Sequence, residues 1–205
     1  KQGIKFWVLS FREIGDEGAM VLAEVLKEND TVEAIKLNNN KIGVEGAMAL
    51  AEVLKVNKTL FDLDIGSNEV GDEGAKALAE AFKVNKTLTD LSLYNNQIGD
   101  EGAMVLAEVL KENDTVENIR LNYNKIGLEG AKALAEALKV NNTLTKLVLN
   151  FNKIDNKGAK ALAEALKVNK TLSYLDIESN EIGDKYTEVL KNLPRVKSGQ
   201  LTLDI

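Results

Sequence analysis

The sequence contains no cysteine and no histidine. Without thiols there is no disulfide framework, no thiolate metal site and no thiol nucleophile, a composition that suits a reducing cytosol. Without imidazole the usual general base and the commonest zinc ligand are missing. There is one proline in 205 residues, and an apolar content of 44% marks a folded rather than a disordered chain. No basic run occurs and the formal net charge is −6, which argues against nucleic acid or an anionic membrane as the main partner. No apolar run approaches the ~20 residues that a membrane helix needs. The chain opens at Lys1 within a strand-like segment, which leaves open whether a signal peptide was removed.

What is present is a repeat. Asn40, Asn68, Asn96, Asn124, Asn152 and Asn180 follow one another at intervals of 28 residues. Each closes the same string, as in Ile35-Lys36-Leu37-Asn38-Asn39-Asn40-Lys41-Ile42 and Leu147-Val148-Leu149-Asn150-Phe151-Asn152-Lys153-Ile154. A fixed period of this length marks a stacked array. Its unbroken run from Trp7 to Leu203 points to one elongated domain over residues 1–205, with an N-terminal cap repeat at about 1–15 and a degenerate C-terminal repeat at about 184–205.

Residues 32–59 serve as the unit. Alternation at Ile35 and Leu37 predicts a short strand with both side chains on one face. Gly43 and Glu45-Gly46 turn the chain, and Ala47, Leu50, Ala51 and Leu54 then form a helical stripe. Aspartates 16, 72, 100 and 184 are placed to cap the helix of their own repeat, and Asn57 to leave the helix in a left-handed conformation. One strand and one helix cannot bury their own apolar faces, so the units stack. Strands then repeat at ~4.8 Å while helices need about 10 Å, and the stack curves with its strands inside. The recurring asparagine is expected to be structural, serving loop backbone groups that no ladder satisfies.

The pattern LxxLxLxxNxIGxEGAxxLAxxLKxNxT resembles the ribonuclease-inhibitor type of leucine-rich repeat, and the segment 129–141 is similar to the repeat arrays of NOD-like receptors. The resemblance covers almost the whole chain. It implies an α/β leucine-rich-repeat solenoid, a right-handed horseshoe with parallel strands on the concave face and helices on the convex face. It also implies a cytoplasmic protein that binds other proteins. Many animal arrays carry cysteine in these repeats, and this chain carries none.

The ends depart from the pattern. Arg12 stands at the asparagine position of the first copy, and Trp7 takes the first strand's leucine position, where it can seal the open end. Near the other end Tyr186-Thr187 replace Gly-Ala, Pro194 is expected to end the last helix, and Leu203-Asp204-Ile205 begins an eighth strand. This reads as a C-terminal cap, with a cut from a longer array as the alternative.

Internal comparison locates the variable face. Residues 17–43 and 101–127 differ only at Ala34/Asn118, Lys36/Arg120 and Asn39/Tyr123, all on the strand side of the unit. Residues 73–99 and 129–155 differ there too, at Asp90/Lys146, Ser92/Val148, Tyr94/Asn150 and Asn95/Phe151, as well as in the helix, loops and turn. Drift at exposed sites would explain this, but in the first pair the equally exposed helix positions Met20, Glu24 and Lys27 are unchanged. The expected concave contacts are Tyr94, Arg120, Tyr123, Lys146, Phe151 and Tyr174. Acidic residues flank them, Glu33, Asp62, Asp64 and Asp90 on one side and Asp176 and Glu178 on the other.

Six Asn-x-Thr sequons begin at Asn29, Asn57, Asn85, Asn113, Asn141 and Asn169, and the repeat accounts for them without a glycan. No phosphate loop, nucleophile elbow or metal-ligand cluster occurs, so no cofactor, metal or catalytic residue is expected. The leading reading is a non-enzymatic scaffold for a protein or peptide, with a monomer favoured. The alternatives are a GTPase-activating protein using Arg120 or the Asn122 neighbourhood, the sensor part of a larger receptor, and an engineered repeat scaffold.

Overall fold

Each 28-residue period becomes one strand and one helix. The computed structural model describes residues 5–205, so residues 1–4 of the expected cap repeat lie outside the described residues. The strands are β1 (Phe6–Val8), β2 (Ala34–Lys36), β3 (Asp62–Asp64), β4 (Asp90–Ser92), β5 (Asn118–Arg120), β6 (Lys146–Val148), β7 (Tyr174–Asp176) and β8 (Thr202–Asp204). The helices are α1 (Gly15–Lys27), α2 (Val44–Val56), α3 (Gly71–Phe82), α4 (Asp100–Leu110), α5 (Leu128–Val140), α6 (Asn156–Val168), α7 (Asp184–Lys191) and α8 (Pro194–Lys197). The strands form one open parallel sheet in chain order, a leucine-rich-repeat solenoid. Register is one full period throughout, Ile35 opposite Leu63 and Leu63 opposite Leu91.

The central residue of each strand turns toward the helices, where Ile35, Leu63, Leu91, Ile119, Leu147 and Leu175 are buried. Ala47, Leu50, Ala51 and Leu54 meet them from α2. The turn is shorter than the sequence implies. Helix α2 begins at Val44, so Gly46 lies inside it, where a Cβ would stand 2.9 Å from the Ala19 methyl of α1. Glycine is what lets the two helices approach this closely.

Two asparagine ladders hold the loops. Asn68 Oδ1 accepts from the backbone N–H of Asn40 and Ile42, both at 2.9 Å, while Nδ2 donates to Leu37 O at 3.0 Å and Ile65 O at 2.9 Å. The second ladder runs through the sequons. Asn57 is extended (φ −67°, ψ 136°) rather than left-handed, because its side chain does the turning. Its Oδ1 accepts from Thr59 and Leu60 N–H at 3.0 and 2.8 Å, and its Nδ2 reaches back to Leu26 O of the previous repeat at 2.9 Å. Asn85, Asn113, Asn141 and Asn169 repeat the arrangement and are buried like Asn57, so these five amides have no room for a glycan.

The aspartates do cap helices, but not their own. Asp16 Oδ1 accepts from Gly43 and Gly46 N–H of α2, at 2.7 and 2.8 Å. Asp72 serves α4 and Asp100 serves α5 in the same way, and Asn156 accepts from Gly183 N–H. Asp184 has no such partner among the described residues. Besides the repeat of Asn156, two repeats lack the acid and solve the problem differently. Val44 precedes α3, whose Gly71 flips to φ +60° and donates to Asn96 O. Leu128 precedes α6, which Asp155 caps from within by accepting from Lys157 and Gly158 N–H. Asp72→Ala should destabilise the chain by about 1–2 kcal/mol, because Gly99 and Gly102 N–H lose their acceptor, whereas Val44→Asp should bring no comparable gain, because Gly71 and Gly74 N–H already donate to Asn96 O and Val70 O. The urea unfolding midpoint should fall for the first variant and stay within error for the second.

The C-terminal end is closed differently. Pro194 occupies the first turn of α8 instead of merely ending α7, which stops at Lys191. Arg195 is buried and its guanidinium donates to Asn169 O, Leu172 O and Gln200 O. It occupies the space that the next asparagine of the second ladder would fill.

Candidate protein-binding surface

The residues flanking each central strand position point away from the helices and build the concave face. Three residues past each of β1 to β7, the residue before the ladder position (Arg12 in the first repeat, asparagine in the others) adopts a left-handed backbone. The series is Phe11, Asn39, Ser67, Asn95, Tyr123, Phe151 and Ser179, with φ between 51° and 58°. This conformation suits asparagine and disfavours bulky side chains. Tyr123 and Phe151 nonetheless occupy it. Their rings stack with centroids 4.3 Å apart and planes 7° apart, and they remain 49% and 42% exposed. Strand spacing brings them together, because neighbouring repeats place equivalent residues side by side.

The other expected contacts divide into two groups. The Tyr94 ring covers Gly66, two residues past the end of β3, where a Cβ would stand 1.9 Å from a ring carbon, so a glycine is required there. Tyr94, Arg120 and Tyr123 line one hollow of about 580 Å³, together with Lys36, Asp64, Ser67, Ser92, Asn95 and Asn122. Lys146 and Tyr174 stand apart from it. Lys146 Nζ sits 4.6 Å above the Tyr174 ring, and Tyr174 Oη donates to Asp204 Oδ2 at 2.6 Å. Lys146 thus serves the tyrosine of the neighbouring strand.

The flanking acids are crowded. Burial pushes the Asp62 carboxyl above the usual carboxylate range, and Asp90 and Asp64 add to this while Lys36 and Arg120 oppose it. Burial also raises Asp176, which accepts from Glu178 N–H. The Asp204 hydrogen bond, with burial, pushes the Tyr174 phenol up to about 12. A phenol raised in the folded state contributes stability that is full below its ordinary value of 10.0 and is lost as pH rises toward about 12. A phenolate absorbance titration should therefore show one tyrosine ionising last, and Tyr174→Phe should remove that step.

Phe6, Val8 and Phe11 are exposed large apolar residues that sequence reasoning passed over. Phe11 was legible, for it holds the repeat position of Tyr123 and Phe151. Among the described residues no cluster of metal-ligating side chains occurs, and no helix is long and apolar enough to cross a membrane.

The sequence matches the family described as "Leucine Rich repeat" at residues 28–51, 56–79, 84–107, 112–135, 140–163 and 168–185. A comparison with curated proteins returns no match. Solved structures share the fold. The actin-binding site 2 of leiomodin-1 is 23% identical with a TM-score of 0.53, covering 86% of each chain. The tropomodulin C-terminal domain of Caenorhabditis elegans is 14% identical with a TM-score of 0.58, covering 88% of this chain and 92% of that one. A chain of the yeast Rad7–Elc1 complex is 20% identical with a TM-score of 0.60, covering 94% of this chain and 45% of that one. With tandem matches over more than half of its length, the chain belongs to the leucine-rich repeat family.

Proposed function

We propose that this protein is a non-enzymatic scaffold that binds a protein or peptide on its concave face, through Tyr94, Arg120, Tyr123, Lys146, Phe151 and Tyr174. One observation carries the reading: Tyr123 and Phe151 are exposed, stacked, and held in a backbone conformation that four of the five other repeats give to asparagine or serine, Phe11 being the exception. Placing bulky rings there costs conformational energy, and such local cost is characteristic of functional positions. Exposed aromatic pairs flanked by charge are typical anchors for a protein surface. The fold neighbours are consistent with this. One is an actin-binding site, and another comes from a complex of two proteins.

We assign the repeats to the ribonuclease-inhibitor type on their 28-residue period and their α-helical outer layer, and treat residues 1–205 as a single domain. The lack of cysteine fits a cytoplasmic protein, and we take it to act as a monomer. Affinity capture from host-cell extract with the native chain and with Tyr123→Ala/Phe151→Ala, read by mass spectrometry, tests the proposal. A partner lost only from the variant supports it. Partners retained by a folded variant reject the concave face as the binding site.

A further inference from the structure

Taking the concave face as the binding surface, we propose that the hollow between Tyr94, Arg120 and Tyr123 is a carboxylate subsite. It takes one carboxylate of the bound protein segment, from an aspartate or glutamate side chain or from a chain terminus. The hollow is rich in donors that the chain leaves without acceptors. Ser92 lines it while only 2% exposed, and its hydroxyl makes no hydrogen bond among the described residues. Buried hydroxyls are normally paired, so this one is set for an acceptor from outside the chain. The half-buried Arg120 guanidinium, the Lys36 ammonium and the phenols of Tyr94 and Tyr123 line the same hollow. None of them has a side-chain hydrogen bond or an ion pair among the described residues.

The nearby acids do not fill the role. Asp64 Oδ1 accepts from Gly66 N–H, and Asp90 accepts from Asn118 Nδ2 and the Thr89 hydroxyl, each at 2.9 Å. Asp62 feels the charges of Lys36 and Arg120 but forms an ion pair with neither. The helix side is arranged differently, for there Lys55 meets Glu52 at 2.5 Å and Lys132 meets Glu129 at 2.8 Å. Cations on the convex surface are neutralised within the chain, and these two on the concave surface are not.

Charge and shape select the ligand. Two cations and the single carboxylate of Asp64 line the hollow, leaving one net positive charge. That balance matches a singly charged carboxylate better than a doubly charged phosphate. The planar fork of Arg120 suits both oxygens of a carboxylate, and Ser92 stands opposite Arg120 on the neighbouring strand. The Tyr94 ring over Gly66, and the Tyr123 face that Phe151 leaves uncovered, offer a surface to the apolar stem of the acid.

The probes are two phage-displayed libraries of random peptides, one joined to the phage through the peptide C-terminus and one ending in a free carboxylate. Selection on the native chain should enrich Asp or Glu in the first library if a side chain is the source. Binders from the second library alone, lost on amidation, would make the terminus the source. Arg120→Gln should weaken the selected peptides at least about tenfold, and selection repeated on that variant should lose the acid preference. Arg120→Lys should retain part of the affinity. The guanidinium bonds to nothing in the chain, so circular dichroism and the unfolding midpoint should stay unchanged in both variants. An acid preference that survives Arg120→Gln overturns the subsite. So does stronger competition by inorganic phosphate than by acetate, which would assign the hollow to a doubly charged ligand. Binders without acid preference that only Tyr123→Ala/Phe151→Ala abolishes overturn the subsite and leave the concave face as the binding surface. Binders indifferent to all these variants, or none from either library, overturn both.

Discussion

Replacing Tyr123 and Phe151 by asparagine should reduce partner affinity by about 100-fold or more while leaving the unfolding midpoint unchanged or higher. Asparagine is the residue at the equivalent positions Asn39 and Asn95, so the change imports a side chain the scaffold already accepts there. Two effects oppose each other in the folded chain. Loss of the stacked pair removes about 0.5–1.5 kcal/mol. Relief of two bulky residues from left-handed backbone returns about 1 kcal/mol each. The net is close to zero or favourable, so stability and binding should separate. A packing role for the rings predicts the reverse, a lower midpoint with binding unaffected. Chemical denaturation together with titration against the captured partner distinguishes them.

Removing one rung from the middle of the first asparagine ladder should have the largest effect on stability. Asn124 accepts from Asn96 and Ile98 N–H and donates to Leu93 O and Leu121 O, each at 3.0 Å. Asn124→Ala leaves these groups buried without partners. At about 1–3 kcal/mol for each unsatisfied group, partly relieved by entering water, the expected loss is about 3–5 kcal/mol. Asn180 makes similar bonds but is only partly buried, so Asn180→Ala should cost markedly less. Urea unfolding followed by both fluorescence and circular dichroism measures the difference. It also shows whether the broken ladder divides the array into separately melting halves, as nearest-neighbour coupling allows.

Much of this architecture could be read from the chain because a strict period leaves little freedom. Once Ile35, Leu63 and Leu91 recur at one spacing, the parallel register and buried strand centres follow. What the period hides is direction between repeats. Asp16 stands at the start of its own helix, and nothing local reveals that its carboxylate turns to Gly43 and Gly46 of the next one. Asn57 illustrates the same limit, since its side chain reaches back to Leu26 O and removes the need for a left-handed turn. On the concave face, the neighbourhood of Tyr123 and Phe151 followed from strand spacing. Their unfavourable backbone did not, because a dihedral angle is invisible to composition. The choice of partner by Lys146 was equally hidden, since its long side chain crosses to Tyr174 of the neighbouring strand.

The most direct test of the concave face as the binding surface is site-specific photocrosslinking in host-cell extract. A photoreactive phenylalanine derivative replaces Tyr123 in one form of the protein and Met104, exposed on the helix side, in another. The account predicts a discrete crosslinked partner from position 123 and none from position 104. A partner crosslinked from position 104 alone would place binding on the convex face and contradict it.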